Sequence, residues 1–354
     1  MNEKQSIQQF FAGRDVRGFY QNNGSKTIVV TFSKFSKSPP AALFGAKFLD
    51  DRGLSYVAYQ ATDNHWWHSP EMSSAAEAAL PLLKGYTRII AYGASMGASG
   101  ALLFSKALGA DRVIAIAPQY SILPDLVPKE TRWRKEAATI NHLLIDPQES
   151  VSPEAEKVIV YDPFERLDAI QARQFDGFPN VFYLRVSLAG HYPLRRMAQV
   201  GLLPDLIKIL FAPELQIDEA VALVREARAK SDAYLLQFAL RKYGKRHPKR
   251  ALKLVSGMNL EVIADDWEVF LLLGRVFKRT GDLEKALHFA ERSISISPRF
   301  KNVSFADVLL RKMNPEATDK CIASTICAFH RNRAEKTRKL LLLVERRKRE
   351  ALSE

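Results

Sequence analysis

The rhythm of apolar and polar positions changes near residue 213. Before that point, short apolar runs rich in β-branched residues alternate with stretches of helical period. Residues 27–33 (Thr-Ile-Val-Val-Thr-Phe-Ser) form the first clear strand; a helix is expected over about 41–51, stopped by Gly53, and 54–59 is the next strand. A helix over about 73–84, a strand over 88–92, a helix over 98–104 and a strand over 112–117 follow. Residues 157–161 and 180–186 read as two more strands, before a helix that reaches about Leu210. This alternation implies an α/β domain over 1–213, with a mostly parallel sheet and helices on both faces. Residues 118–155 break the pattern and carry Pro124, Pro128, Pro147 and Pro153. An insertion of that length in a compact domain suits a cap over a site.

From 214 to 354 the pattern is helical throughout. Between Trp267 and Pro298, the positions Leu273-Gly274, Phe277, Gly281, Ala286 and Pro298 have the spacing of a tetratricopeptide-type helix–turn–helix repeat. A degenerate copy is expected about 35 residues earlier, through Tyr234, Leu235, Phe238, Tyr243 and Ala251. One clear copy cannot bury a solenoid face alone, so flanking helices must cover it. Binding of a protein partner and packing on the front domain are both compatible with the pattern.

Charge separates the two regions further. The formal net charge is +13, and residues 214–354 hold 29 Lys and Arg against 19 Asp and Glu. Such a surface suits nucleic acid, anionic lipid headgroups or an acidic partner, or is a solvated helical face; no nucleic-acid fold signature accompanies it. The chain has no run of 18 uninterrupted apolar residues, so no transmembrane helix is expected. Residues 1–6 are polar and lack the apolar core of a signal peptide. Cys321 and Cys327, six apart in a helical-looking stretch, face different ways and are not expected to form a disulfide. These features point to a reduced, cytoplasmic protein.

The chemistry concentrates at Gly93-Ala94-Ser95-Met96-Gly97, which follows a β run and opens a small-residue helix. A G-x-S-x-G nucleophile elbow needs that strand–turn–helix context, where a strained turn leaves the serine hydroxyl exposed. A serine hydroxyl needs a base. His191 follows the strand over 180–186 and Asp162 follows that over 157–161, so Ser95, Asp162 and His191 all lie past strand ends, where sites gather in such sheets. They form a candidate triad, with Asp168 as the alternative acid, because Asp162 also suits an Asp-Pro turn. The backbone N–H of Met96 is the first candidate oxyanion donor, and Ser33 or Lys34 the second. His65, Trp66 and Trp67 follow a strand end and are candidates for a substrate rim; the His65-x-x-His68 spacing has no third ligand, so no metal is assigned. Arg132, Arg134 and Lys135 in the expected cap suit either an anionic substrate or the open surface. No cofactor is implied.

Over roughly 25–212 the chain resembles the α/β-hydrolase superfamily. More narrowly, it resembles bacterial hydrolase-like proteins with a tetratricopeptide-type tail that are associated with surface-polysaccharide biosynthesis. Residues 44–48 (Phe-Gly-Ala-Lys-Phe), 64–67 (Asn-His-Trp-Trp), 92–97 (Tyr-Gly-Ala-Ser-Met-Gly) and 117–122 (Ala-Pro-Gln-Tyr-Ser-Ile) carry the resemblance. It implies a triad mechanism at Ser95, Asp162 and His191, acting on a small-molecule or glycan-linked acyl ester. Water as acceptor makes an esterase and a sugar hydroxyl an acyltransferase. A non-catalytic scaffold whose tail binds a protein is the third reading.

Overall fold

A computed structural model of the protein describes residues 7–36, 42–140, 145–230, 232–258, 266–297 and 300–313. Cys321, Cys327 and the basic stretch 345–350 lie outside these residues. The chain forms two compact units that divide between Ala227 and Arg228.

In chain order the first unit contains β1 (Gln8–Ala12), β2 (Val16–Gln21), β3 (Thr27–Phe32), α1 (Ala46–Asp50), β4 (Ser55–Ala61), α2 (Glu71–Leu83), β5 (Arg88–Ala94), α3 (Met96–Leu103) and β6 (Arg112–Ile116). It continues with α4 (Arg134–Thr139), α5 (Pro147–Ser150), β7 (Glu156–Tyr161), α6 (Arg166–Arg173), β8 (Val181–Arg185), α7 (Pro193–Gln199), α8 (Leu203–Phe211) and most of α9 (Ile217–Lys230), which crosses the division. The eight strands form one sheet in the order β1-β2-β4-β3-β5-β6-β7-β8. β2 pairs antiparallel with β1 and β4, and every other pairing is parallel. The mostly parallel sheet agrees with the alternation read from the sequence. β1 and β2, which that reading did not foresee, are short, and Gln9, Arg17 and Gly18 interrupt their apolar pattern.

Strand residues alternate between two cores, as the two-residue period requires. Ile28, Val30, Phe32, Ala91, Val113 and Ile159 face one side, with α2, α3 and Ala172 of α6. Val29, Ile90, Tyr92, Ile114, Val158 and Val160 face the other, with Leu49 of α1, Met197 of α7, Leu206 and Leu210 of α8, and Ala220, Val224 and Ala227 of α9. The last three tie α9 to this core, and the compact unit runs to Ala227. Strands buried on both faces read as continuous apolar runs, which is why β3 to β7 were legible.

The second unit contains α10 (Asp232–Tyr243), α11 (Pro248–Val255), α12 (Trp267–Thr280), α13 (Leu283–Ile296) and α14 (Phe300–Met313). α12 ends on Gly281 in the left-handed conformation (φ 90°), and the next residue, Asp282, caps α13 through the Lys285 N–H. This two-residue turn brings α12 back against α13, with Gly274 against the backbone of Ala286. No helix among the described residues is long and apolar enough to cross a membrane.

Candidate active site

β5 delivers Ser95 at the carboxyl edge of the sheet. Its N–H is held by the Ile116 carbonyl of β6 at 2.8 Å, and its backbone is forced to φ 53°, ψ −124°. A non-glycine residue at positive φ stores strain, and here that strain turns the chain abruptly from strand to helix. The flanking glycines make the turn sterically possible. A Cβ on Gly97 would lie 2.3 Å from the Phe32 carbonyl oxygen, and one on Gly93 would lie 2.1 Å from that of Gly97. The N-terminus of α3 therefore lies directly against the end of β3. The Met96 N–H stands in the first turn of α3, where amides have no intrahelical acceptor.

The Ser95 hydroxyl lies 2.9 Å from His191 Nε2, and His191 Nδ1 lies 2.8 Å from Asp168 Oδ2. An ionised carboxylate only accepts, so the imidazole carries its proton on Nδ1 and takes the Ser95 O–H at Nε2. Ser95 and His191 are partly exposed, while the Asp168 carboxylate is fully buried. Burial alone would raise the Asp168 pKa; the hydrogen bond and charge of His191 and the charge of Arg132 outweigh it and hold it below the usual carboxylate range.

The acid on the imidazole is thus Asp168 and not Asp162. Asp162 Oδ1 accepts the Phe164 N–H at 2.9 Å, and Oδ2 accepts the Gly190 N–H at 2.7 Å. Its carboxylate closes the Asp-Pro turn after β7 and ties that turn to the loop that carries His191. Asp168 reaches the site because it lies in the first turn of α6, a helix that the sequence pattern does not mark. α6 is short and polar, with two arginines, an aspartate and a glutamine among its eight residues, so it gave little apolar periodicity. Two of those polar residues, Asp168 and Gln171, are buried, which no local pattern announces.

Of the other expected site residues, Ser33 is not available as an oxyanion donor. Its N–H is bonded to the Tyr59 carbonyl at 2.9 Å, and its hydroxyl accepts the Ala61 N–H at 2.9 Å. Lys34, one residue further, is exposed. Trp66 and Trp67, expected at a substrate rim, are instead buried, 1% and 0% exposed, and line no rim. Both take positive φ, 47° and 66°. Trp67 donates its indole N–H to the Met96 carbonyl at 2.9 Å, so it buttresses the elbow from below. Trp66 donates to Gln119 Oε1 at 3.1 Å, and the same oxygen stands 3.5 Å from Ser95 Oγ. His65 serves its own loop, accepting the Trp67 N–H at Nδ1 with Nε2 on the Asp15 carbonyl. Arg134 and Lys135 are exposed, whereas Arg132 is drawn inward and bonds Asp168. Gln119 and Glu130 had drawn no functional reading from the sequence; only their placement beside Ser95 and Arg132 brings them forward.

No family model matches the chain, and no curated protein matches it. Among solved structures it is similar to the capsule O-acetyltransferase of Neisseria meningitidis serogroup A. One such structure is 14% identical with a TM-score of 0.42, covering 57% of this chain and 94% of that one. A complex of a mutant of that acetyltransferase with CoA is 14% identical with a TM-score of 0.41, covering 51% of this chain and 86% of the mutant. An esterase of Pyrococcus furiosus is 13% identical with a TM-score of 0.39, covering 62% of this chain and 91% of the esterase.

Proposed function

We propose that the protein is an acyl-transfer enzyme of the α/β-hydrolase type, an esterase acting through a Ser95–His191–Asp168 triad. The observation that carries this reading is the unbroken chain of two short hydrogen bonds from Ser95 Oγ through the imidazole to a buried carboxylate, with the serine on a strained elbow. His191 Nε2 takes the Ser95 proton as Oγ attacks the ester carbonyl, and Asp168 keeps the ring oriented and stabilises the imidazolium. The tetrahedral oxyanion is met by the Met96 N–H, with the Lys34 N–H as second donor. His191 then returns its proton to the leaving alkoxide, and the acyl group remains on Ser95. Water, deprotonated by the same His191, releases the acid and regenerates the hydroxyl. A sugar hydroxyl in place of that water takes the acyl group from Ser95 by the same steps, which makes the enzyme an acyltransferase and a glycan-linked acyl ester its product. The helices of the second unit are read as a tetratricopeptide-like module, with protein binding and packing within the chain as its two alternative roles.

Purified full-length protein exposed to a fluorophosphonate probe tests this by mass. A single adduct on wild type, absent from Ser95→Ala and His191→Ala, is the expected result. A folded wild type that takes no adduct would transfer the weight to a non-catalytic scaffold.

A further inference from the structure

We infer that Arg132 is the positioning residue of the triad acid, so that the triad is complete only when the segment from Gln119 to Trp133 is docked on α6. The inference rests on the triad proposed above. Arg132 donates from Nη1 to Asp168 Oδ1 at 2.5 Å, from Nη2 to Glu130 Oε2 at 2.6 Å and from Nε to Glu130 Oε1 at 2.9 Å. A carboxylate has two oxygens, and Asp168 gives Oδ2 to His191 and Oδ1 to Arg132. Its rotation about the Cβ–Cγ bond is therefore fixed from both sides by groups that belong to different segments.

α6 grips the same segment a second time, three residues further on. Gln171 Oε1 accepts the Tyr120 N–H at 2.7 Å and the Ser121 N–H at 3.3 Å, and Nε2 donates to the Ser121 carbonyl at 2.7 Å and to Glu130 Oε2 at 3.1 Å. Positions i and i+3 share a helix face. Asp168 and Gln171 thus fasten the segment at both ends, and the catalytic acid is one of the two fasteners.

Electrostatics separates this arrangement from a stabilising clasp. Buried ion pairs contribute little net stability compared with apolar packing, so stability alone does not call for the cluster. Arg132 Nη1 stands 3.5 Å from His191 Nδ1, where a lone guanidinium would oppose the imidazolium that forms during attack. Glu130, whose side chain is 1% exposed, supplies the compensating charge. The Glu130–Arg132 pair is neutral as a unit: Arg132 orients Asp168, and Asp168 keeps its full charge for the imidazolium.

Rates of fluorophosphonate labelling at Ser95 test the inference in wild type, Arg132→Gln, Arg132→Lys, Glu130→Gln, Asp168→Asn and the Arg132→Gln/Asp168→Asn pair. Arg132→Gln is expected to slow labelling ~10- to 100-fold, the size of a misplaced catalytic group. Arg132→Lys should recover part of that rate by restoring one charged donor. Glu130→Gln should slow labelling although Arg132 is intact. The pair should be no slower than Asp168→Asn alone, because Arg132 acts through Asp168. Should Arg132→Gln fail to fold, Glu130→Gln/Arg132→Gln removes both charges together and takes its place in the cycle. Wild-type labelling of Arg132→Gln or of that replacement, or effects that multiply in the pair, would overturn the positioning role and leave the triad standing. An unlabelled wild type would overturn the triad, and the inference with it.

Discussion

The two units bury polar side chains to different ends. In the helical unit the buried Asp266 and Asn302 are spent on helix termini: Asp266 caps α12 through the Glu268 and Val269 N–H groups and accepts from Gln237, and Asn302 donates to the Ser293 and Ser297 carbonyls at the end of α13. In the sheet unit the buried Gln119 and Asp168 meet a partly exposed serine and histidine, and the buried Glu130 and Gln171 hold the Arg132 side chain and the backbone around them. The first pattern satisfies orphaned backbone groups that every helix end leaves behind. The second leaves a serine hydroxyl partly exposed, backed by buried charged and amide side chains. Convergence of buried polar groups toward an open edge distinguishes a site from a staple, and it separates the two regions more sharply than charge does.

The largest effect expected to sharpen the contrast concerns the two aspartates. Asp168→Asn should slow labelling of Ser95 by about 10³–10⁴-fold, the scale of losing a triad acid. Asp162→Asn should cost about tenfold or less in rate, but about 1–3 kcal/mol in stability, because one of the two N–H groups it holds, the buried one of Gly190 and the part-buried one of Phe164, loses its acceptor. Labelling rates with urea melts separate the cases, and the opposite assignment would return the acid role to Asp162.

Glycines give the next largest difference. Gly97→Ala drives a Cβ to 2.3 Å from a backbone carbonyl that cannot yield, and about 1–3 kcal/mol or more of stability should be lost, together with labelling. Gly274→Ala meets the Ala286 carbonyl at 2.9 Å and the Phe305 ring at 3.0 Å, while alanine gains about 1 kcal/mol of helix propensity. Its net effect on the melting temperature should be within a few degrees. An equal loss at both positions would break the comparison.

Acid should act on the sheet unit through His68. Burial, with a smaller contribution from the charge of His65, pushes its pKa down to about 4. The unfolded chain then binds the extra proton between about pH 6.5 and 4, so the stability present above pH 6.5 falls as pH drops through that window, by up to ~3 kcal/mol. Asp168 is depressed too and withdraws its share at still lower pH, as it protonates. Urea melts from pH 7 to 4 should show a shallower slope for His68→Gln. The smallest effect belongs to the helical unit, where Asp282→Ala removes the α13 cap at a cost of about 1 kcal/mol, read by thermal melting. The exposed Lys285 ion pair adds little to that.

Much of the parallel sheet was legible because strands covered on both faces carry unbroken apolar runs, and the elbow was legible because its glycines are a steric necessity within five consecutive residues. Its neighbours were harder to read. Trp66 and Trp67 look like rim residues in a polar loop, yet their indole N–H groups are satisfied inside, by Gln119 and by the Met96 carbonyl. Ser33 follows a strand end as an oxyanion donor should, but β4 already takes its N–H.

The choice between Asp162 and Asp168 marks the limit of local reading. Both follow the same strand and both are buried. The sequence alone determined the alternation of the sheet, the two regions and the serine at the turn, because each is written in contiguous residues through period, glycine sterics and composition. Only the tertiary structure decided which carboxylate meets His191, that Arg132 turns inward to Glu130 and Asp168, and that the tryptophans lie beneath the elbow. Apart from the Arg132–Glu130 pair, those contacts join residues tens of positions apart, and a hydrogen bond across such a distance depends on where helices and loops pack, which no local pattern encodes.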